Sequence, residues 1–363
     1  MSVEVKIQDS ISKVHQAQWN SLNENNNPFI SWEFFNALEK GHCLGQNTGW
    51  NPAYMTVEKD GTLSAALPLF IKTDSYGEFI FDWSWAEAYG RYGVPYYPKL
   101  TVAIPYSPIS APKLLGSLSD QKNFLLPKLL EFYKNQNLSG LHFLFTNEEE
   151  APLLSDIELM ERDSIQYHWN REQCHSFEDY LAGLKKNRRK SIKKERRALK
   201  DTEIVLLQGN EIETSDIDFF YQCYLSTIEK KWSQAYLSLE FFKSFIQSKP
   251  ESCSLFIAKD ERGPLASALY FHSDDTLYGR YWGCQRDIPF LHFELCIYRG
   301  IELCLSKDLK RFEAGAQGEH KRMRGFPPTL TKSFHHLKHS EFSKAIGNFI
   351  EEERQALRRV FTP

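Results

Sequence analysis

The chain contains one pattern twice, and this limits what it can fold into more than any other feature. GTLSAALPLFIKTDSYG (61–77) aligns without gaps on GPLASALYFHSDDTLYG (263–279), so that Gly61/Gly263, Leu63/Leu265, Ala66/Ala268, Leu67/Leu269, Tyr76/Tyr278 and Gly77/Gly279 coincide at an offset of 202. Lys59-Asp60 and Lys259-Asp260 lie just ahead of the two stretches, and FISWEFF (29–35) and YLSLEFF (236–242) lie further back in the same order. Three matches in one order imply two copies of one fold. Each copy reads as a helix opening at Ser31 or Ser238, with an acid two residues on at the positive end of the dipole. A strand (AYMTVEKD or SLFIAKD), a glycine turn and a strand of small apolar residues follow. EFIFDW or RYWG is expected to form the next strand. An apolar-periodic helix, Phe124–Asn135 or Phe293–Ser306, then leads to a last strand, GLHFLF or LKRFEAG. Hairpins followed by a helix and a strand predict an α/β module with a mixed, mostly antiparallel sheet. Recurrence of Tyr76 and Tyr278 at equivalent sites favours a role in the fold over one in catalysis.

Two copies in 363 residues suggest a first domain over 1–170, a second over 171–330, and a C-terminal strand and helix over 331–363. Phe342, Ile346, Phe349, Ile350, Leu357 and Phe361 share one helical face, so the helix over about 340–361 is expected to pack back toward the first domain. The opening MSVEVKIQDS has no apolar core of a signal peptide, and no apolar run approaches the ~20 residues of a membrane span. Seven cysteines without a CxxC pair indicate neither a disulfide framework nor a zinc site, so a reduced, cytoplasmic protein is expected. The net charge of −3 hides an asymmetry: residues 1–170 carry 12 Lys+Arg against 20 Asp+Glu, the remainder 32 against 27. KKNRRKSIKKERRALK (185–200) alone holds ten basic residues and one acid. A patch this local points to a local anionic partner.

These residues resemble a known group. The strand–strand–helix–strand module is similar to the GNAT acyltransferase fold, and two in tandem, the second opened by a basic helix, resemble the Fem-type transferases of peptidoglycan biosynthesis. FISWEFFNALE, FDWSWAEAYGRYGVPYYPKL, LYGRYWG, LHFELCIYRGIE and FEAGAQGEHKRMRGFPPTLTKSFH together resemble the FemAB-like group, named for peptidoglycan biosynthesis or recognition. The resemblance implies two GNAT-like domains and transfer of an acyl or aminoacyl group onto an amine, from aminoacyl-tRNA in Fem enzymes or acyl-CoA in most GNAT enzymes. Neither is expected as a tightly bound cofactor. The coenzyme-A type cradles pyrophosphate in a [QR]-x-x-G-x-[GA] loop before a helix. RYWGCQRDIPFLHFEL occupies that place without the glycine spacing, which favours the tRNA acceptor end as donor. A non-catalytic recognition module of the same fold is the alternative.

Aminolysis needs a base for the attacking amine and a donor for the oxyanion. At the end of the second copy, FEAGAQGEHKRMRGF offers Glu313, Glu319, His320, Lys321 and Arg324; the resemblance implies that Lys321 lies at the active cleft. Glu313, His320 and Lys321 are the catalytic candidates, with Glu319 and Arg324 in substrate binding; the ordinary reading is a strand-end salt bridge and a solvated loop. Within the basic helix, Arg188, Arg189 and Lys193 are candidates to hold phosphates, against the reading of a solvated face. Arg280 in LYGRYWG, and His292 and Glu294 at the following helix start, are candidates to face the same cleft, though a capping role is an equal reading for the last two. In the first copy Asp82, Trp83, Trp85, Glu87 and Arg91 interleave aromatics with charge as a recognition wall does, although aromatics at this density are more often core. GAQGEHK lacks the spacer of a P-loop, and neither G-x-S-x-G nor H-E-x-x-H occurs. HHLKH (335–339) has metal spacing without partner ligands, so no metal is expected.

Overall fold

The computed structural model of the chain describes residues 2–230, 234–315 and 318–361. It divides into two compact units, 1–165 with 330–363, and 166–329. Each unit opens its repeat with the same local chemistry. Ser31 and Ser238 cap the helices Trp32–Lys40 and Leu239–Ser248 by accepting the backbone N–H of Phe34 and Phe241, with Glu33 and Glu240 in the first turns.

In the first unit β1 (Val3–Gln8), β2 (Trp50–Pro52), β3 (Tyr54–Lys59), β4 (Thr62–Leu67), β5 (Leu69–Lys72), β6 (Lys99–Val102), β7 (Leu115–Gly116) and β8 (Gly140–Thr146) form two sheets. One runs β1-β3-β4-β7; in the other β2, β5, β6 and β8 are successive neighbours. β4 and β5 correspond to one unbroken strand in the second copy. Pro68 separates them because its ring leaves no N–H for the ladder. The expected strand EFIFDW does not form. Residues 78–82 arch through Phe79 and Phe81 at φ of 61° and 54°, and the strand that enters the sheet is β6. Both ends of the arch turn inward onto the buried Lys99 of β6, which meets Glu78 at 2.7 Å and Asp82 at 2.5 Å.

In the second unit β9 (Met160–Asn170), inside which the units divide, is followed by β10 (Glu203–Gln208), β11 (Cys253–Asp260), β12 (Gly263–His272), β13 (Thr276–Cys284) and β14 (Arg311–Glu313). The order is β10-β11-β12-β13-β14, antiparallel except for the parallel β13–β14 pair, and residues 168–170 of β9 run antiparallel to β14. The corresponding pair in the first unit, β6–β8, is also parallel. The repeat extends further than the sequence revealed. Both long helices contain one π turn, Gln121–Leu125 before Leu126–Asn135 and Glu294–Tyr298 before Arg299–Ser306.

Each unit has its own core, led by Met55, Leu67, Leu100, Leu129 and Phe143 in the first and by Leu265, Tyr270, Leu295, Ile301 and Phe312 in the second. The chain returns to the first unit as β15 (Pro328–Leu337), antiparallel to β8, and as the helix Ser340–Phe361. Ile346 and Ile350 are buried against Trp85, Tyr89 and Tyr96, and Phe342 stacks on Tyr89 with centroids 4.0 Å apart. Phe349, grouped with them by periodicity, faces solvent, and the side chain of Phe361 lies outside the described residues. Arg162 holds Glu353 through two bonds of 2.8 and 3.0 Å, which fixes the helix to the sheet. All seven cysteines are free thiols.

Candidate active site

The second unit parts its parallel strands at Glu313. Pairing between β13 and β14 lasts for three residues, Thr276↔Arg311, Leu277↔Phe312 and Tyr278↔Glu313, after which β14 ends and β13 continues against β12. A bulge interrupts that continuation: Leu269 pairs with Tyr281 and Tyr270 with Gly279, leaving Arg280 as the extra residue. Such a bulge bends the strand and releases ladder groups beside the gap. Glu313 is 4% exposed. Its Oε1 accepts no hydrogen bond; Arg311 Nη2 lies 3.3 Å away and His168 Nδ1 4.0 Å away. His168 stands directly across from it on β9 and is 2% exposed. The ring presents Nε2 to Gln166 Oε1 at 3.2 Å. Burial pushes the His168 pKa down, against the pull of Glu313.

Beyond Glu313, Gly315 and Gly318 take φ of 88° and 113°, conformations open to glycine, and a short 3₁₀ turn Glu319–Arg324 follows. Ala316, one of the small residues expected to open the main chain, lies outside the described residues, as does the side chain of Glu319. Lys321 is 6% exposed and donates to Gly315 O at 2.7 Å, bringing its ammonium back to the strand end. His320 is partly buried with Nε2 unbonded; its ring lies 6.0 Å from that of His292 and 5.5 Å from that of Phe293. Burial lowers its pKa, with Lys321 and Arg324 adding to the effect. Arg324 turns inward. It donates to Tyr298 OH at 2.8 Å, to both oxygens of Glu195 at 3.0 Å and to His320 O at 3.2 Å, with its guanidinium 3.6 Å from the Phe293 ring centre. Arg324 therefore fixes the loop that carries Lys321, and its charge is answered inside the protein.

The helix Lys186–Arg197 is two-sided. Ile192 is buried, Glu195 receives Arg324 and the hydroxyl of Tyr298, and Arg196 reaches Glu294 at 3.0 and 3.1 Å and Glu302 at 2.7 Å. The one acid of 185–200 is thus turned inward, leaving Lys186, Arg188, Lys190, Lys193, Lys194 and Arg197 exposed. Lys193 meets Glu178 at 3.3 Å on the surface, and Arg189 donates to Ala182 O at 3.4 Å. Glu294 is an internal ion-pair partner, taking Arg299 at 3.0 Å as well as Arg196. Burial nonetheless raises its pKa above the ordinary carboxylate value. His292 stands edge-on to Trp282 at 5.2 Å.

The candidates of the first unit separate differently. Asp82 is fully buried and accepts from Tyr96 OH at 2.6 Å and Lys99 at 2.5 Å; burial opposes its ionisation, but these two partners hold its pKa well below normal. Trp85 is a core residue, edge-on to His335 at 5.0 Å. Its indole has no open face to offer a ligand. Glu87 pairs with Arg91 at 2.6 Å on the surface. Aromatics that do face outward include Tyr76, Phe81, Trp83 and Tyr92, at 56, 60, 42 and 78% exposure, Tyr76 and Trp83 touching edge to face at 4.8 Å. The HHLKH histidines diverge: His335 meets His142 at 2.8 Å in the interior, His336 meets Tyr133 OH at 3.0 Å, and His339 packs on Phe342. Among the described residues no three metal-ligating side chains come together.

With this geometry in view, comparison with known proteins is decisive for the family. The FemAB-like family, described as peptidoglycan biosynthesis/recognition, matches residues 10–362. The chain belongs to the FemAB-like family. No curated protein matches the sequence. Among solved structures this FemAB-like chain is similar to FemX, at 12% identity over 96% of this chain and all of that one, with a TM-score of 0.58. It is also similar to the C-terminal domain of a lysylphosphatidylglycerol synthetase from Agrobacterium fabrum, at 10% identity over 93 and 96% of the two chains, TM-score 0.59. A third is L-PGS from Bacillus licheniformis, at 10% identity over 90 and 98%, TM-score 0.50. At such identities the likeness is one of fold, the Fem-type arrangement of two GNAT domains. Sequence reading passed over His168, Gln166 and Glu195. The first two sit in ERDSIQYHWN, where alternation marked nothing unusual, and Glu195 is hidden in a run of bases.

Proposed function

We propose that this FemAB-like protein transfers an acyl group onto a free amine of a peptide or cell-wall precursor, and that the donor is an aminoacyl-tRNA. The observation that carries this reading is Glu313, a buried carboxylate with an unbonded oxygen at the point where two parallel strands separate. A base held there takes the proton that an attacking amine must lose. Lys321, whose ammonium is drawn back to the same strand end, supplies positive charge for the oxyanion of the tetrahedral intermediate. His320, His292 and Arg280 are the acceptor contacts in this reading. The outer face of the basic helix, with Arg188, Arg189 and Lys193, holds donor phosphates, because its single acid is turned inward and cannot neutralise it. Arg324 and Glu294 act in this scheme by fixing the loop and the helix. The absence of the coenzyme-A glycine pattern favours a tRNA donor over acyl-CoA. No helix among the described residues is long and apolar enough to cross a membrane; with a tRNA donor the reaction belongs in the cytoplasm.

The test is incubation of the purified protein with amine acceptors and either radiolabelled aminoacyl-tRNA or radiolabelled acyl-CoA. Label is expected in the acceptor from the tRNA donor. Transfer from acyl-CoA alone would reverse the donor assignment. Transfer from neither, with retained binding of acceptor, would leave a recognition module.

A further inference from the structure

The geometry points to β1 as a pairing edge for a second copy of this chain, joining two first units through one continuous antiparallel sheet. In the order β1-β3-β4-β7 the strand β1 has a single neighbour, β3. Antiparallel partners exchange hydrogen bonds at every second residue, and the residues between direct their N–H and C=O away from the partner. Ser2 fixes this alternation: it stands across from Asp60, one step beyond the Val3↔Lys59 pair, and its carbonyl accepts the Asp60 N–H at 3.0 Å. Glu4, Lys6 and Gln8 therefore bond to β3, whereas Val3, Val5 and Ile7 direct their backbone groups outward. The side chains of those three share one face. Val5 packs on the core of the first unit, and Val3 and Ile7 lie to either side of it at 38 and 40% exposure.

A lysine on a sheet edge ordinarily guards it against pairing. Here the stretch VEVKI (3–7) is its own antiparallel complement, which makes Lys6 a contact instead of a guard. With Val5 on a two-fold axis, Val5 faces Val5 of the second copy, Val3 faces Ile7, and Glu4 faces Lys6 on both sides of the axis. All three outward-facing residues then fall into hydrogen-bonded pairs, about six bonds in total. An axis at Glu4 sets two glutamates against each other, and an axis at Lys6 sets two lysines, so charge selects the Val5 register. The charges within one copy favour the same partner. Glu4 stands directly across from Glu58 on β3, and Lys6 answers both, at 3.2 and 2.7 Å. The Glu4 side chain is 67% exposed. Lys6 of the second copy lies across from Glu4 on its open side, so that each carboxylate gains a cation of its own. On the core face Val3 and Ile7 of the two copies cover each other. The contact uses the same residues in both copies and therefore closes at a dimer.

Sedimentation velocity of the full chain from about 1 to 200 µM is expected to show reversible passage to a species of twice the monomer mass. Val5→Pro removes an outward N–H without touching the ladder to β3, and should leave a folded monomer. Glu4→Lys and Lys6→Glu should each weaken the dimer about tenfold or more, by setting like charges across the axis. A one-to-one mixture of these two variants should dimerise again, because in the mixed pair every lysine meets a glutamate. Thermal unfolding of each variant at low concentration reports whether it is folded; should a charge variant unfold, Val5→Pro against wild type still decides. A wild-type chain that stays monomeric across the range would overturn the assignment, in favour of a guarded surface or a strand from another protein. A dimer left intact by Val5→Pro, or folded charge variants whose mixture associates no more than its components, would overturn it as well.

Discussion

Glu313 differs from the charged residues around it in what its neighbours leave undone. Arg324, Arg196, Glu195 and Glu294 complete one another, and breaking such a set costs stability because it strands a charge in the interior. Glu313 keeps an oxygen without a hydrogen bond. Lys321→Ala is expected to leave the thermal unfolding midpoint nearly unchanged and lower turnover by about 10²-fold or more, as when a transition-state donor is removed. Glu313→Gln should also impair turnover, since the amide keeps the shape but cannot take the proton. Wild-type turnover in either variant would remove that residue from the chemistry. Arg324→Leu should instead destabilise the fold by about 3 kcal/mol, by leaving Glu195 without its cation, as read by urea unfolding. In the first unit, burial brings the His142 pKa down to about 3, with Lys99 contributing and Asp82 opposing, and holds His335 low beside His142 and Arg162. An imidazole depressed in the folded state gives its full stabilisation above its unfolded value near 6.5, and loses it as pH falls from there toward the folded value. Glu78, pushed up to about 7 by burial, works in the opposite direction between that value and its ordinary 4.5. His142→Asn should therefore make the fall in unfolding free energy between pH 6 and 4 shallower by about 1.4 kcal/mol per pH unit. An unchanged slope would mean that His142 is protonated inside the fold.

Among the elements, the basic helix and the C-terminal helix show opposite uses of an amphipathic pattern. The basic helix turns Ile192, Glu195 and Arg196 inward and keeps most of its bases on the outer face. Reversing charge at Arg188 and Lys193 to Glu is expected to change stability by less than about 0.5 kcal/mol. The same change should weaken tRNA binding and flatten its dependence on salt, as seen by filter binding at two ionic strengths. Undiminished binding would reduce this face to solvated surface. The C-terminal helix uses its apolar face for the fold. Removing residues 340–363 uncovers Trp85, Tyr89 and Tyr96 and loses two buried isoleucines, a change of at least about 3 kcal/mol. A lower melting temperature and aggregation are expected; a truncated protein as soluble and heat-stable as the full chain would contradict the packing. The π turns in both long helices, absent from any sequence expectation, lie at matching points of the repeat. In the second unit that turn holds Glu294 and Tyr298, two of the residues that grip the basic helix.

For the molecule as a whole, the repeat, the two serine caps, the hairpins, a last strand within LKRFEAG and the family membership were legible in the chain itself. These are matters of local chemistry, in which a serine reaches a backbone N–H three residues away and alternating apolar residues form a strand wherever a sheet is available. Contacts between distant parts of the chain could not be read in this way. EFIFDW has the composition of a strand, but its Glu78 and Asp82 meet the buried Lys99 in an arch, a contact between distant parts of the chain that local β propensity does not reveal. Trp85 and Trp83 are two residues apart and look alike in the sequence; one is core and the other surface because the helix turns them to different sides. Arg324 and Lys321 are equally charged, yet only packing against Glu195 and Tyr298 made one a brace and left the other at the strand end. His168 gained its significance from standing across a sheet from Glu313, 145 positions later in the chain. The sequence by itself determined the duplication, most of its elements and its family, because short-range patterning specifies those. Only the tertiary structure decided which charges answer each other, because that depends on what each side chain meets after folding.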